Sequence, residues 1–240
     1  MESSRGHADK ELVRAAKLLG AVTLGGVGER FAAASSTILG SFLVLKLLSS
    51  ALDPLRILND VGMLSVIGLV GVALTAACVV KALRQVARLE RAIAAFELAL
   101  SGSAIARGMT PSIAWYPAAL LPALIALMPE TDAPAALALF ASFGALSTFF
   151  LLVLITSLDN SLSLLARSLE AMGVDPPRPI GEGLGGLAMF SALSLGIATP
   201  LLAYRVSREA ELLAAKSRRA LTTVKSRLAG GLRLNSVLPK

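Results

Sequence analysis

The chain has 240 residues, of which 55% are hydrophobic and 16% charged, and it carries a formal net charge of +7. A mean hydropathy of +0.72 is far from the balance of a soluble globular domain. The apolar residues come in runs of about 18 to 25, the length of helix that crosses roughly 30 Å of hydrocarbon, and not in the short alternating segments of a strand barrel. We predict an all-α polytopic membrane protein with about five membrane-embedded helices, within a range of four to six.

Residues 1–30 form the first predicted region, an amphipathic N-terminal segment. They lack the continuous apolar core of a signal peptide, so the first spanning helix is expected to direct insertion. A short helix at 9–28 is predicted to lie on the membrane surface or against its neighbours. The first span follows at 31–52 and ends at Pro54, because proline stops a helix. Lys46, inside this span, either reaches the interface through its long stem or lines a transport path.

The second span, 61–80, is predicted to continue beyond the membrane as a helix to residue 101. Its seam residues follow one another at alternating spacings of about three and four, which is a heptad pattern. They are Val79, Ala82, Val86, Leu89, Ile93, Phe96 and Leu100. A helix over 61–101 would be about 60 Å long, so the part at 81–101 must project from the bilayer.

The third apolar run, 111–128, contains two internal prolines that would kink it. The fourth, 135–157, is also predicted to run on as a projecting helix, here over 158–172, with Gly173 as its stop. The seam of this second projecting helix has the same period, and we expect the two seams to pack together. Its residues are Leu151, Ile155, Leu158, Leu162, Leu165, Leu169 and Met172.

The fifth apolar run, 183–204, completes the predicted transmembrane domain of residues 31–204. A glycine-rich stretch at 181–186 precedes it and formally matches G-x-G-x-x-G, but without the flanking strand that a dinucleotide site needs. Small residues recur at every fourth position in this run, and the second span has a similar small-residue face, which predicts a close contact between the two helices. The predicted packing residues are Gly68, Gly71, Thr75, Ala188, Ala192 and Gly196.

Residues 205–240 form a basic amphipathic helix and tail that holds nine Lys/Arg against two Glu, whereas residues 1–204 balance. Cations near a membrane surface bind anionic headgroups at about 1 kcal/mol each. We therefore predict that this region contacts anionic lipid or a partner, and we expect no nucleic acid because it lacks aromatic residues for stacking. The predicted contact residues are Arg205, Arg208, Lys216, Arg218, Arg219, Lys225 and Arg227.

The distribution of Lys and Arg leaves the topology open. Five spans with the N-terminus inside would place the basic tail outside, against the positive-inside rule. If 183–204 is re-entrant or in-plane, 21 cationic residues lie inside and 1 outside; if 111–128 fails to span, 19 lie inside and 3 outside. We favour five membrane-embedded helices in the cell membrane, with both termini in the cytoplasm.

The residues that carry chemistry are scarce. His7 is the only histidine and Cys78 the only cysteine, so we predict no catalytic residues, no metal site and no cofactor, and we do not expect an enzyme. Asp159 and Asn160 lie at the predicted water boundary, where a polar pair needs no ion. Asn, Gln and Cys together number only five, a scarcity typical of proteins from hyperthermophiles.

Two functions fit these predictions. The first is a structural or interaction subunit of the membrane, either a homo-oligomer or part of a larger complex, that packs through small-residue faces and a projecting helical bundle. The second is a small permease, or the membrane subunit of a transporter. Transporters place polar groups or broken helices near the bilayer midplane, and the sequence offers only 181–186, Pro200 and Lys46 for that role.

Overall fold

The computed structural model describes residues 2–22, 27–51, 57–101, 133–194 and 197–229, and all the regular structure in them is helical. The predicted third run at 111–128 lies outside these residues. The described helices are α1 (Glu2–Gly20), α2 (Val27–Ala51), α3 (Ile57–Ser101), α4 (Ala133–Ala171), a 3₁₀ turn (Gly181–Gly183), α5 (Gly185–Leu193) and α6 (Thr199–Ala229).

The long helix α3 is the centre of the fold, and α1, α2, α4 and α6 all pack against it. Val72 of α3 clusters with Phe143 of α4, and farther along both helices Glu90 of α3 accepts a hydrogen bond from Ser157 of α4. These two contacts advance together toward the C-terminal ends, so α3 and α4 run parallel.

Helix α2 runs antiparallel to α3, because Glu29 pairs with Lys81 whereas Leu43 lies against Gly68. The 3.5 Å gap between Leu43 and a Cβ built on Gly68 is ordinary van der Waals contact. Gly68 of the predicted small-residue face is therefore in contact with α2.

The C-terminal parts of the long helices pack into a bundle with a continuous apolar core, at the positions that the heptad spacing predicts. We use "bundle" for α1 together with 79–100 of α3, 151–171 of α4 and 202–224 of α6. Every seam residue of α3 and α4 named above is buried, except Met172, which packs partly buried against the same core. Removing this apolar surface from water contributes roughly 25 cal/mol per Å² to stability.

A second surface, at the other end of the molecule, is apolar and exposed. Apart from Val13 and Leu212, the exposed large apolar side chains of the described residues lie on α2 to α5, and all of them are beyond the bundle except Leu152, which is at its first turn on α4. We call them the apolar belt: Val27, Phe31, Ile38, Phe42, Leu45, Val66, Leu69, Val70, Leu146, Phe149, Leu152, Met189, Phe190 and Leu193. A contiguous apolar surface of this extent is rare on soluble monomers.

Two helix ends can be compared directly with the sequence predictions. Helix α4 stops at the predicted place: Gly173 has φ 66°, and the N–H groups of Gly173 and Val174 bond back to the carbonyls of Glu170 and Leu169, which is a Schellman motif. Helix α1, predicted over 9–28, instead ends at Gly20.

The apolar run 183–204 is not one continuous helix. It contains the nine residues of α5, which ends at Leu193, and the first turns of α6, which begins at Thr199, with a break in the helix between them. Pro200 accounts for the break, because it has no N–H to donate to the carbonyl four residues earlier and its ring clashes with that carbonyl. Nine helical residues are about 14 Å long, less than half the thickness of the hydrocarbon core. The run therefore does not cross a membrane as a continuous helix.

Candidate functional site: a buried hydroxyl cluster at a helix break

The two helices on either side of the break fold back on each other. Ser191 Oγ in α5 lies 2.9 Å from Thr199 Oγ1 in α6, although residues eight apart in a continuous helix are separated by about 12 Å along its axis. The turn is closed by two hydrogen bonds, from Ile197 N to the Ser194 carbonyl and from Ala198 N to Ser194 Oγ. Helices α5 and α6 thus form a sharply bent pair whose corner lies against α4.

Three hydroxyl groups meet at this corner. Thr148 Oγ1 of α4 lies 2.8 Å from Ser191 Oγ and 3.1 Å from Thr199 Oγ1. The Gly144 carbonyl oxygen is 2.9 Å from Thr148 Oγ1 and 3.2 Å from Thr199 Oγ1. All three hydroxyl-bearing side chains are at most 2% exposed. We call these four oxygens the hydroxyl cluster.

None of these three hydroxyls was predicted from the sequence. They come from two distant parts of the chain, and single Ser or Thr residues in apolar runs usually bond to their own helix, as Thr75 does to the Gly71 carbonyl. The only available signal was Pro200, which marks where the helix breaks and polar groups gather.

Asp159 holds the segment that leads into α5. Its carboxylate oxygens accept hydrogen bonds from the backbone N–H groups of Ile180 and Gly181, both at 2.8 Å. These bonds join the 3₁₀ turn to α4 at the level of the bundle. Asp159 thus has a structural use at this contact, and Gly181 belongs to the same contact.

Replacing Gly181 with alanine is expected to destabilise the protein by about 1–3 kcal/mol, because the added methyl group overfills a tight contact. A Cβ at this position would lie 2.6 Å from Asp159 Oδ2, and that oxygen cannot retreat without losing its backbone hydrogen bonds. Thermal unfolding in detergent measures the effect. Gly183→Ala is the matched control, since a Cβ at residue 183 would meet no atom within 4 Å, and equal loss of stability in both variants would contradict the contact.

The C-terminal end of α1 is held by two arginines from different helices. Arg218 of α6 donates from Nε to the Leu19 carbonyl at 3.0 Å, and from Nη2 to the Leu19 and Val22 carbonyls. Arg88 of α3 donates to the Ala21 carbonyl at 3.0 Å. The last carbonyls of a helix lack intrahelical partners and carry partial negative charge, so both guanidinium groups are well placed.

Buried carboxylates are the least expected feature of the bundle core. The Glu90 and Glu97 side chains are 4% and 3% exposed and lie one heptad apart on α3, beyond the predicted membrane segment at 61–80. Burial raises the pKa of Glu90, although the Ser157 hydroxyl, which donates to it at 2.7 Å, and nearby Arg91 act in the opposite direction. Burial likewise raises the pKa of Glu97.

Glu90→Gln is expected to raise the thermal midpoint at neutral pH and to have less effect in acid. A carboxyl whose pKa is raised on folding contributes stability below its unfolded pKa of about 4.3, and this contribution is lost as the pH rises through the folded pKa. The glutamine carbonyl can still accept the Ser157 hydrogen bond without a buried charge. The check is a pH series of thermal unfolding with exposed Glu170→Gln as control; a gain confined to acid would contradict the expectation.

The structure places the six predicted packing residues in different surroundings. Gly71 and Thr75 are buried in α3, and Ala188 of α5 is buried in the core. The side chain of Ala192 and the whole of Gly196 lie outside the described residues. The predicted contact of the α3 face with the α5 face therefore stays a prediction.

The seven residues predicted to contact lipid or a partner also differ in their exposure and contacts. Arg205, Arg208, Lys216 and Arg219 are exposed on α6, Lys225 is half-buried, and the side chain of Arg227 is outside the described part. Arg218 is bound to α1. Helix α6 turns its apolar residues Val206, Ala210, Leu213, Leu221 and Val224 into the bundle core, which leaves its basic face outward.

The described residues thus define an all-helical protein in which two helices, Val66–Leu100 and Phe143–Ala171, contain stretches long and apolar enough to cross a membrane. Among these residues no group of His, Cys, Asp and Glu is placed to hold a metal ion. No protein-family model matches the sequence, and comparisons with curated proteins and with solved structures also give no match.

Proposed function

We propose that the protein is a polytopic subunit of the cell membrane that carries a rigid helical bundle on the cytoplasmic side for interaction with a partner. One observation carries this proposal. The exposed face of α4 is apolar at Leu146, Phe149 and Leu152, and along the same helix it becomes polar at Thr156, Asn160, Ser163 and Arg167. A continuous helix whose outer face changes in this way fits one that leaves a bilayer.

Helix α3 supports the same boundary. Its exposed residues are Val66, Leu69 and Val70 before the boundary and Arg84, Arg88 and Arg91 after it. The inner face of the helix is mainly apolar on both sides of the boundary, and its buried carboxylates, Glu90 and Glu97, lie on the bundle side. Because α3 and α4 cross this boundary in the same direction, the chain between them must return through the membrane, which is the task we assign to the predicted run at 111–128.

The bent α5 and α6 pair supports a re-entrant fifth element. Thr199 begins α6 beside Thr148, at the level of the apolar belt, and Arg218 reaches the same helix end as Arg88, in the bundle. Helix α6 therefore leaves the belt in the same direction as α3 and α4. A re-entrant α5 that does not cross gives the division of 21 cationic residues inside to 1 outside, in accord with the positive-inside rule.

The partner surfaces follow from this arrangement. Arg205 and Arg208 are exposed just past the apolar start of α6, where each cation contributes about 1 kcal/mol to contact with anionic headgroups. Farther from the membrane, the bundle presents exposed Lys216 and Arg219. We assign the first pair to lipid and the outer part of the bundle to a protein partner or a second copy of the chain.

Thiol labelling tests the topology. In a Cys78→Ala background, single cysteines at exposed Ser163 and Thr222 should react with a membrane-impermeant reagent in inside-out vesicles and not in intact cells. Thr131→Cys, between the predicted runs 111–128 and 135–157, should show the reverse pattern, because the proposed topology places that connection outside. Labelling of Ser163→Cys and Thr222→Cys on opposite sides would overturn the proposal, because their helices could not then share one bundle.

A second candidate function, a small permease, is favoured by the helix break and its buried hydroxyls. Discontinuous helices and polar groups at membrane depth are features that transporters use for substrates and ions. A thermal-shift screen of purified protein separates the two candidates. Stabilisation by a specific small solute would favour the permease, whereas stabilisation by anionic lipid alone would favour the interaction subunit.

A further inference from the structure

We propose that the hydroxyl cluster is a binding site for a dehydrated monovalent cation of the size of sodium. The ligands would be Thr148 Oγ1, Ser191 Oγ, Thr199 Oγ1 and the Gly144 carbonyl oxygen. This inference goes beyond the proposed interaction function, which does not require a bound ion.

The cluster holds more close oxygen pairs than its protons can join. Five oxygen–oxygen distances lie between 2.8 and 3.2 Å. Each hydroxyl has one proton to donate, so three protons serve five contacts. Two of the five close contacts therefore join oxygen atoms that have no proton between them, an arrangement that a bound cation would stabilise.

The Gly144 carbonyl oxygen is approached by more possible donors than it has lone pairs. Inside α4 this oxygen is positioned to accept the backbone N–H of Thr148, four residues on, and it also lies within 3.2 Å of the hydroxyls of Thr148 and Thr199. A carbonyl oxygen has two lone pairs, so both hydroxyls cannot donate to it fully. The hydroxyl that does not donate to this carbonyl directs its proton elsewhere and turns an oxygen lone pair toward the carbonyl oxygen.

The chemistry of the oxygens selects the class of ion. Hydroxyl and carbonyl oxygens are neutral, and no described His, Cys, Asp or Glu cluster is placed to hold a metal. Calcium and magnesium sites use carboxylates to balance two charges, so a divalent ion would be left uncompensated. The C-terminus of α5 carries a partial negative charge and the N-terminus of α6 a partial positive charge, and the two lie close together at the break. Their effects on a bound ion oppose each other, so the lone pairs of the four oxygens favour a cation.

The distances between the oxygens favour a cation of the size of sodium. A cation held at about 2.3–2.6 Å from oxygens in a right-angled arrangement separates them by about 3.2–3.7 Å. The cluster, at 2.8–3.2 Å, needs to open by only a few tenths of an ångström for such an ion. A larger cation such as potassium requires a wider opening among side chains that are at most 2% exposed.

The test is thermal unfolding of the purified full chain in detergent, with sodium, potassium or choline chloride at constant ionic strength. At sodium thirty times its Kd, the midpoint of the wild type is expected to rise by about 4–8 °C, with smaller rises in potassium and choline. Thr148→Val and Ser191→Ala should abolish the sodium-specific rise. Thr199→Ser, which keeps the hydroxyl, should retain it.

Thr75→Val is the matched control, because Thr75 is equally buried and its hydroxyl bonds to the carbonyl four residues earlier in its own helix, like Thr148. This variant should keep the full sodium response. An equal response of the wild type to all three salts would overturn the site, and so would a sodium response that survives both Thr148→Val and Ser191→Ala. Thiol labelling judges the topology separately, so either proposal can fail alone.

Discussion

Replacing Phe96 with alanine is expected to lower the free energy of unfolding by about 3–5 kcal/mol, the range for truncating a fully buried aromatic residue. Phe96 is 1% exposed and belongs to the seam of α3, where the cores of α1, α4 and α6 meet. The lost burial and the remaining cavity act together at this position. Chemical denaturation in detergent micelles, followed by the helical circular dichroism signal, measures the effect.

Phe149→Ala removes the same side chain from the apolar belt and serves as the control. Phe149 is 58% exposed, and among the described side chains its aromatic contact is an edge-on approach to Phe150, with ring centroids 6.1 Å apart. Lipid or detergent would cover the shortened side chain as well as the original, so a loss of no more than about 1 kcal/mol is expected. Equal losses in the two variants would contradict the division into a packed bundle and an exposed apolar belt.

The contrast between these two phenylalanines also separates what the sequence predicted from what it did not. The seam containing Phe96 was readable because heptad spacing continues past the point where charged residues begin at Lys81. The helix stop at Gly173 was readable because glycine before a proline pair is a strong local signal. Such features depend on neighbours within a few turns of the same helix, and the structure confirms both.

The features that the sequence missed depend on contacts between distant segments. Thr148 and Thr199 look like ordinary apolar-run residues until the break brings α6 back against α4. The small-residue row of the fifth apolar run, which includes Gly196, was interpreted as a packing face. Pro200 lies four residues after Gly196 and removes a helical hydrogen bond at that point. Arg218 is likewise indistinguishable from Arg219 by composition, and only the packing of α1 gives it a separate role.

Arg218→Ala is expected to destabilise the protein by about 2–3 kcal/mol and to loosen α1. Hydrogen bonds that involve a charged group contribute about 1.5–3 kcal/mol, and a cation at a helix C-terminus adds about 0.3–1 kcal/mol. Arg218→Ala leaves the Leu19 carbonyl without this donor, while Arg88 continues to bind Ala21. Thermal unfolding and limited trypsin digestion of the α1 segment, which contains Lys17, provide the measurements.

Two exposed arginines of α6 separate this internal role of Arg218 from the loss of a surface charge and from lipid binding. Arg219 is exposed, so Arg219→Ala should change the free energy of unfolding by less than about 0.5 kcal/mol and should leave α1 resistant to trypsin. Arg205→Ala, in the pair assigned to lipid, should weaken association of the purified protein with anionic vesicles more than Arg218→Ala does, because the guanidinium of Arg218 is already directed at α1 carbonyls. If Arg218→Ala instead weakened vesicle association and left α1 protected, the basic face of α6 would have to include Arg218, and α1 would be held by its apolar contacts and Arg88 alone.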